Sequence, residues 1–165
     1  MHNLANSHEF PEQTGSSQLV LVVDDDQDMC DYLRLGLGRH GFEVEHRTDA
    51  TAAFQRIGEA RFDVVVTDLM MNDSGGLEIL ARAKKASTET EVIVVTGHGT
   101  IPSAVSAMQQ GAFTYLQKPL DMAHLRAAVE KAAEGVRLRR QNLELNRRLD
   151  EKFGFEGVIG SSPQM

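Results

Sequence analysis

Five short apolar runs alternate with segments of helical period between residues 19 and 116, and this alternation confines the chain to a parallel sheet covered by helices on both sides. The runs are 19–23 (LVLVV), 42–46 (FEVEH), 63–67 (DVVVT), 92–95 (VIVV) and 113–116 (FTYL). Three of them are apolar almost throughout, whereas a strand with one wet face would alternate. Between them, Met29, Leu33 and Leu37 share one helix face with Gly41 as a stop; Ala53, Phe54 and Ile57 mark a second helix, and Leu77, Leu80 and Ala81 a third. A fourth starts at Thr100 as a cap with Pro102 in its first turn, passes through Val105 and Met108, and stops at Gly111. Five such units in about 105 residues are too few for a (βα)₈ barrel, which takes roughly 250. The expected fold is therefore a flavodoxin-like, doubly wound (βα)₅ parallel sheet with strand order 2-1-3-4-5.

The flanks differ from this core. Residues 1–17 are polar, lack an apolar period and read as a disordered tail, which leaves 18–121 as the core domain. Residues 121–152 carry eight Lys or Arg against six Asp or Glu, while the remainder has nine against 18, so the acidity belongs to the globular part. Leu125, Val129, Ala132 and Val136 are spaced 4, 3 and 4, and Leu138, Asn142, Leu145 and Leu149 repeat that spacing after a break beside Gly135. We expect a last helix over 122–153 that docks on the sheet and runs on as a dimerising coiled coil, Asn142 fixing its register. The cluster Arg137, Arg139, Arg140, Arg147 and Arg148 reads as the solvated flank of that coil. A formal charge of −7 argues against nucleic acid as a partner, and no apolar run approaches the roughly 20 residues that span a bilayer. The lone cysteine, Cys30, excludes an internal disulfide and fits a cytoplasmic protein.

An open α/β sheet uses the crevice beyond the carboxyl ends of its strands. Strand one ends there in Asp24-Asp25-Asp26, strand three in Asp68, strand four in Thr96 and strand five in Lys118. Any of these alone is a common cap, turn or surface residue; their joint placement on one edge is what points to chemistry. Crowded carboxylates repel one another and call for a cation. Oxygen donors with no His or Cys nearby suit Mg²⁺ or Mn²⁺, with positions left for a phosphate. A carboxylate there can attack phosphorus, while Lys118 and Thr96 meet the phosphoryl oxygens. Two other classes fit less well. A phosphatase with an aspartyl nucleophile wants a second Asp two positions on, where Met70 stands, and a nucleotide-binding module wants a Gly-rich first turn where this chain has Asp24-Asp25-Asp26-Gln27-Asp28.

The strings Val22-Val23-Asp24-Asp25-Asp26, Val66-Thr67-Asp68-Leu69-Met70, Val94-Val95-Thr96-Gly97 and Leu116-Gln117-Lys118-Pro119 together resemble the signature of two-component response-regulator receiver domains. The resemblance implies that Asp68 is the phosphoacceptor, charged by a sensor histidine kinase, and that the chain is a signalling switch rather than an enzyme. It implies Asp25, Asp68 and the Met70 carbonyl as direct Mg²⁺ ligands, with Asp24 acting largely through water. Thr96 becomes the switch hydroxyl, Lys118 the phosphate-binding cation, Tyr115 the rotating switch aromatic, and the Lys118-Pro119 bond cis. A degenerate receiver that only binds a protein is the alternative. The loop after Asp68 departs from the family pattern, with Asn72 in place of Pro and Gly75 in place of Asp, which implies a more mobile loop. Finally, 94–102 (VVTGHGTIP), the long charged helix and 155–165 (FEGVIGSSPQM) resemble sigma-54-dependent transcriptional activators of the nitrogen-regulator and dicarboxylate-transport-regulator type. That likeness implies that 154–165 open an AAA+ ATPase domain, followed in the full-length protein by a DNA-binding domain.

Overall fold

The computed structural model describes residues 17–71 and 75–164, with side chains as far as Lys152. The expected disorder of the tail, the effect of Asn72 and the reading of 154–165 as the start of a further domain fall outside the described residues or side chains. In chain order the elements are β1 (Leu19–Val23), α1 (Gln27–Gly38), β2 (Glu43–Arg47), α2 (Ala50–Glu59), β3 (Val64–Asp68), α3 (Gly76–Ala86), β4 (Glu91–Thr96), α4 (Ile101–Gln109), β5 (Thr114–Gln117) and α5 (Met122–Gln164). All four strand pairings are parallel and the order is β2-β1-β3-β4-β5, the doubly wound sheet expected from the sequence.

Because successive side chains of a strand point to opposite faces, the continuous apolar runs feed two separate cores. Leu21, Val23, Val65, Val92 and Val94 meet Ile57, Leu80 and Ala107 from α2, α3 and α4. Val20, Val22, Val64, Val66, Ile93 and Val95 meet Leu33 and Leu37 of α1 and Leu125, Val129 and Ala132 of α5. The edge strand β2 reads Glu-Val-Glu-His-Arg and has no fully buried residue, so its charges keep the open edge soluble.

Caps begin the helices where the sequence places them. Asp26 accepts from the N–H groups of Asp28 and Met29, and Thr100 forms a reciprocal capping box with Ser103. By contrast α3 starts at Gly75 with no side-chain cap, a direct consequence of the missing Asp at that position. Two apolar assignments turn outward. Ala81 is exposed, the buried face of α3 being Gly76, Ile79, Leu80 and Ala83. In α4 only Ala107 is buried, so Val105 and Met108 join Ile101 in an exposed stripe; the short helix docks through its small residues. In α5 the apolar set is buried through Val136; beyond it the described side chains are exposed except for the half-buried Arg140 and Glu144.

Candidate functional site

Strand register decides which side chains meet at the carboxyl edge. Val23 pairs with Thr67, which makes their successors Asp24 and Asp68 neighbours. Asp68 pairs with Val95 and Thr96 with Gln117, which brings Thr96 and Lys118 to the same rim. There the Lys118 ammonium donates to Asp24 Oδ2 at 2.9 Å and to Asp68 Oδ2 at 3.0 Å, across 94 and 50 positions of chain. Asp24, Asp25 and Asp68 each offer a carboxylate oxygen, and these oxygens lie within 4.8 Å of one another. Asp24 and Asp68 are buried and Asp25 is exposed, so the cluster opens to solvent on one side.

Backbone donors hold the carboxylates in place. Asp26 N–H donates to Asp24 Oδ1 at 2.9 Å, and Met70 N–H donates to Asp68 Oδ1 at 3.0 Å. The Thr67 hydroxyl donates to the Asp68 carbonyl and the Cys30 thiol to the Asp24 carbonyl. Thr96 is buried, its hydroxyl oxygen accepting from His98 N–H at 3.1 Å. Tyr115 is half-buried with its hydroxyl 3.5 Å from Ser103 Oγ, and the Lys118-Pro119 bond is cis.

Burial raises the Asp24 carboxyl above the ordinary carboxylate range, and the hydrogen bond from Lys118 only partly counters it. Burial alone would lower Lys118, but its bonds to Asp24 and Asp68 outweigh that and raise the ammonium above the ordinary lysine range. One ammonium is thus shared by the Asp24 and Asp68 carboxylates, with the Asp25 carboxylate beside them. The residual negative charge and the all-oxygen donor set fit a hard divalent cation such as Mg²⁺ or Mn²⁺.

The helix after β1 carries an inert thiol at this rim. Burial, with Asp24 close by, pushes the Cys30 thiol up to about 12. Such a group leaves the folded chain at its full stability below the usual pKa of 9.0 and costs stability progressively as pH rises from there toward about 12. Iodoacetamide at pH 8 should therefore modify the native chain at least ~100-fold more slowly than the urea-unfolded chain. Equal rates would contradict the burial.

Two glycines and a serine at this rim escaped the sequence reading. A Cβ on Gly76 would lie 2.8 Å from Leu69 Cα and well inside contact with the Asp68 carbonyl, so α3 can abut the strand end only without a side chain. A Cβ on Gly99 would fall on the Tyr115 hydroxyl and 2.8 Å from Thr96 Cγ2. Ser103, expected only as part of a helix, is the polar neighbour of that hydroxyl. No local pattern marks such residues, because each acts on a partner distant in sequence. The arginines also divide: Arg137, Arg147 and Arg148 pair along α5 as a solvated flank, whereas Arg139 and Arg140 reach the domain. The correction has a simple cause, since carboxylates at the strand starts lie within their reach.

Residues 20–130 match the family described as the response regulator receiver domain. The chain is 35% identical over 117 residues to the DNA-binding transcriptional regulator NtrC of Azospirillum brasilense, covering 71% of this chain and 24% of that protein. It thus spans about a quarter of the length of that relative, and 32% of PilR of Pseudomonas aeruginosa, to which it is 30% identical. Among solved structures, the beryllofluoride-activated NtrC4 receiver domain dimer superimposes with a TM-score of 0.68 at 32% identity, over 72% of this chain and 98% of that one. A response regulator from Burkholderia pseudomallei with a phosphorylated aspartic acid, calcium ion and citrate gives 0.66 at 25% identity, over 84% and 86%.

Proposed function

The chain belongs to the response regulator receiver domain family, and we propose that Asp68 takes a phosphoryl group from the phosphohistidine of a sensor histidine kinase in a reaction that needs a divalent cation. The observation that carries this reading is the Lys118 ammonium held between Asp24 and Asp68, with Asp25 beside them. An Asp68 oxygen forms the new O–P bond as the P–N bond of phosphohistidine breaks, and the histidine nitrogen keeps the electron pair. Met70 N–H and Lys118 fix the plane of the attacking carboxylate beforehand. Lys118 and the Thr96 hydroxyl then meet the phosphoryl oxygens. Asp25, Asp68 and the Met70 carbonyl would hold Mg²⁺ (Mn²⁺ as a substitute), with Asp24 largely through water. When bound, the ion neutralises charge on the carboxylates and the phosphoryl group.

The switch follows from the same groups. Movement of Thr96 toward the phosphoryl group would open space beside Tyr115, whose hydroxyl already lies against Gly99 and 3.5 Å from Ser103 in the α4 cap, and let its ring turn inward. That remodels the surface of α4, β5 and α5. The domain division belongs to this reading: 18–121 as the phosphoacceptor core, 122–153 as last helix and homodimerisation linker, and 154–165 as the opening of an ATPase domain of the transcription-activating kind. A cytoplasmic location suits such a role; among the described residues no helix is long and apolar enough to cross a membrane.

Acetyl phosphate with Mg²⁺ should phosphorylate the chain stoichiometrically by mass spectrometry, and removal of the ion with EDTA should abolish it. Labelling that ignores EDTA overturns the metal assignment. A chain that takes neither acetyl phosphate nor Mg²⁺-dependent beryllofluoride is the degenerate, binding-only receiver. For the linker, a chain ending at residue 141 loses the seam beyond it and should be monomeric in sedimentation; unchanged dimerisation moves the interface onto the globular part.

A further inference from the structure

The edge of the sheet opposite Asp68 carries a second charged assembly, which phosphoryl transfer does not use. Asp63 directly precedes β3 and is buried; its Oδ2 accepts from Leu19 N–H at 2.7 Å and its Oδ1 from Arg140 Nη1. Arg140 Nε also donates to Glu89 Oε1 at 3.2 Å. Arg139 Nη2 donates to Glu91 Oε2 at 2.9 Å and to the Glu89 carbonyl at 3.2 Å. Two consecutive arginines of α5 thus hold three carboxylates at the starts of β3 and β4, one turn beyond Val136, where the buried apolar face of the helix ends among the described side chains. The planar guanidinium suits this, since one Arg140 fork reaches two acids from different loops.

The helix period gives these contacts a direction. At 100° per residue, Arg140 stands roughly 140 to 180° around the helix from Leu138, Asn142, Leu145 and Leu149. Holding Arg140 against the domain turns that seam away from it, and the three leucines are 48%, 55% and 53% exposed. Among the described side chains nothing apolar fixes α5 past Val136, and Gly135, a helix-weakening residue by about 1 kcal/mol relative to Ala, sits just before the clasped turn. Arg140 Nη2 is buried and has no hydrogen-bond partner among the described residues.

We propose that Arg139 and Arg140 clasp the extended helix to the base of the sheet, aim its leucine seam outward at a second copy of this chain, and on release let the helix bend at Gly135. Only the second-copy clause rests on the dimeric reading given above.

The test compares the full chain with the double variant Arg139→Ala/Arg140→Ala and with Glu89→Gln/Glu91→Gln, which weakens the acceptors without touching the helix. Amide hydrogen exchange over residues 136–143 should accelerate about five- to tenfold in both, the scale of a few partly exposed ion pairs. Dimer affinity by sedimentation should fall by a similar factor, while Mg²⁺-dependent beryllofluoride binding stays unchanged. Unaltered exchange in the arginine variant overturns the proposal. So does a change confined to that variant, which would trace the effect to helix propensity, and so does faster exchange spread evenly over β1 to β5, which would make the arginines general stabilisers. A wild-type chain that is monomeric at every concentration removes the dimeric reading, and the exchange data still decide the clasp.

Discussion

Asp68→Asn should abolish phosphorylation by acetyl phosphate, lowering the rate by at least ~10³-fold, because the amide cannot supply the attacking oxygen. The fold should survive the change. Asn keeps an oxygen to accept from Met70 N–H, and Asp24 remains to hold the Lys118 ammonium. One carboxylate also leaves a crowded cluster in which Asp24 and Asp68 share the Lys118 ammonium. The melting temperature near neutral pH should therefore stay the same or rise. Mass spectrometry after incubation with acetyl phosphate and Mg²⁺ reads the first effect and a thermal melt the second. An 80 Da adduct retained at wild-type level in the variant would place the acceptor elsewhere and sink the mechanism.

Gly76→Val carries the second large effect, and it acts through the backbone. Gly76 N–H donates to the Leu69 carbonyl at 2.7 Å, which ties the first turn of α3 to the residue after Asp68. Any Cβ at this position drives into the Asp68 carbonyl and lies 2.8 Å from Leu69 Cα. Neither atom can step aside cheaply, since Asp68 belongs to a strand paired with β4 and Leu69 N–H donates to the Val95 carbonyl at 3.0 Å. Valine adds a β-branched side chain at a buried site, and overpacking of this kind costs about 1–3 kcal/mol or more. We expect a loss at the upper end of that range in urea unfolding. The fraction that remains folded should also phosphorylate more slowly, because α3 can return only if the Asp68 backbone moves. Gly76→Ala should show the same pattern more weakly. Wild-type stability in the valine variant would mean that the contact relaxes and does not position Asp68.

Much of the architecture was legible because the relevant signals are local. Uninterrupted runs such as Val64-Val65-Val66 can only be strands covered on both faces, and Thr100 with Pro102 marks a helix start without further context. The acidic rim was legible for a related reason: in a parallel sheet the last residue of each strand must arrive at one edge, so Asp24, Asp68, Thr96 and Lys118 could be brought together from strand ends alone. What stayed hidden depends on distances between chain segments. The clearance at Gly76 exists only because α3 begins against the end of β3, and the seat of Tyr115 depends on how closely the loop at Gly99 passes over it. Arg139 and Arg140 were indistinguishable from their solvated neighbours until the helix was docked. The outward Val105 and Met108 show the converse, an apolar period that the short α4 does not bury.

Asp63 and Asp68 bracket the middle strand of the sheet, one anchoring the long helix through Arg140 and the other at the acidic rim. The separation between these two terminals is therefore set by the count of residues in Val64–Val66 and Thr67, roughly 17 Å at strand rise. A deletion or insertion inside that stretch would throw one carboxylate to the wrong side of the pleat whichever way the strand resettled. β3 thus behaves as a gauge of fixed length, free to change its apolar side chains but not its number of residues.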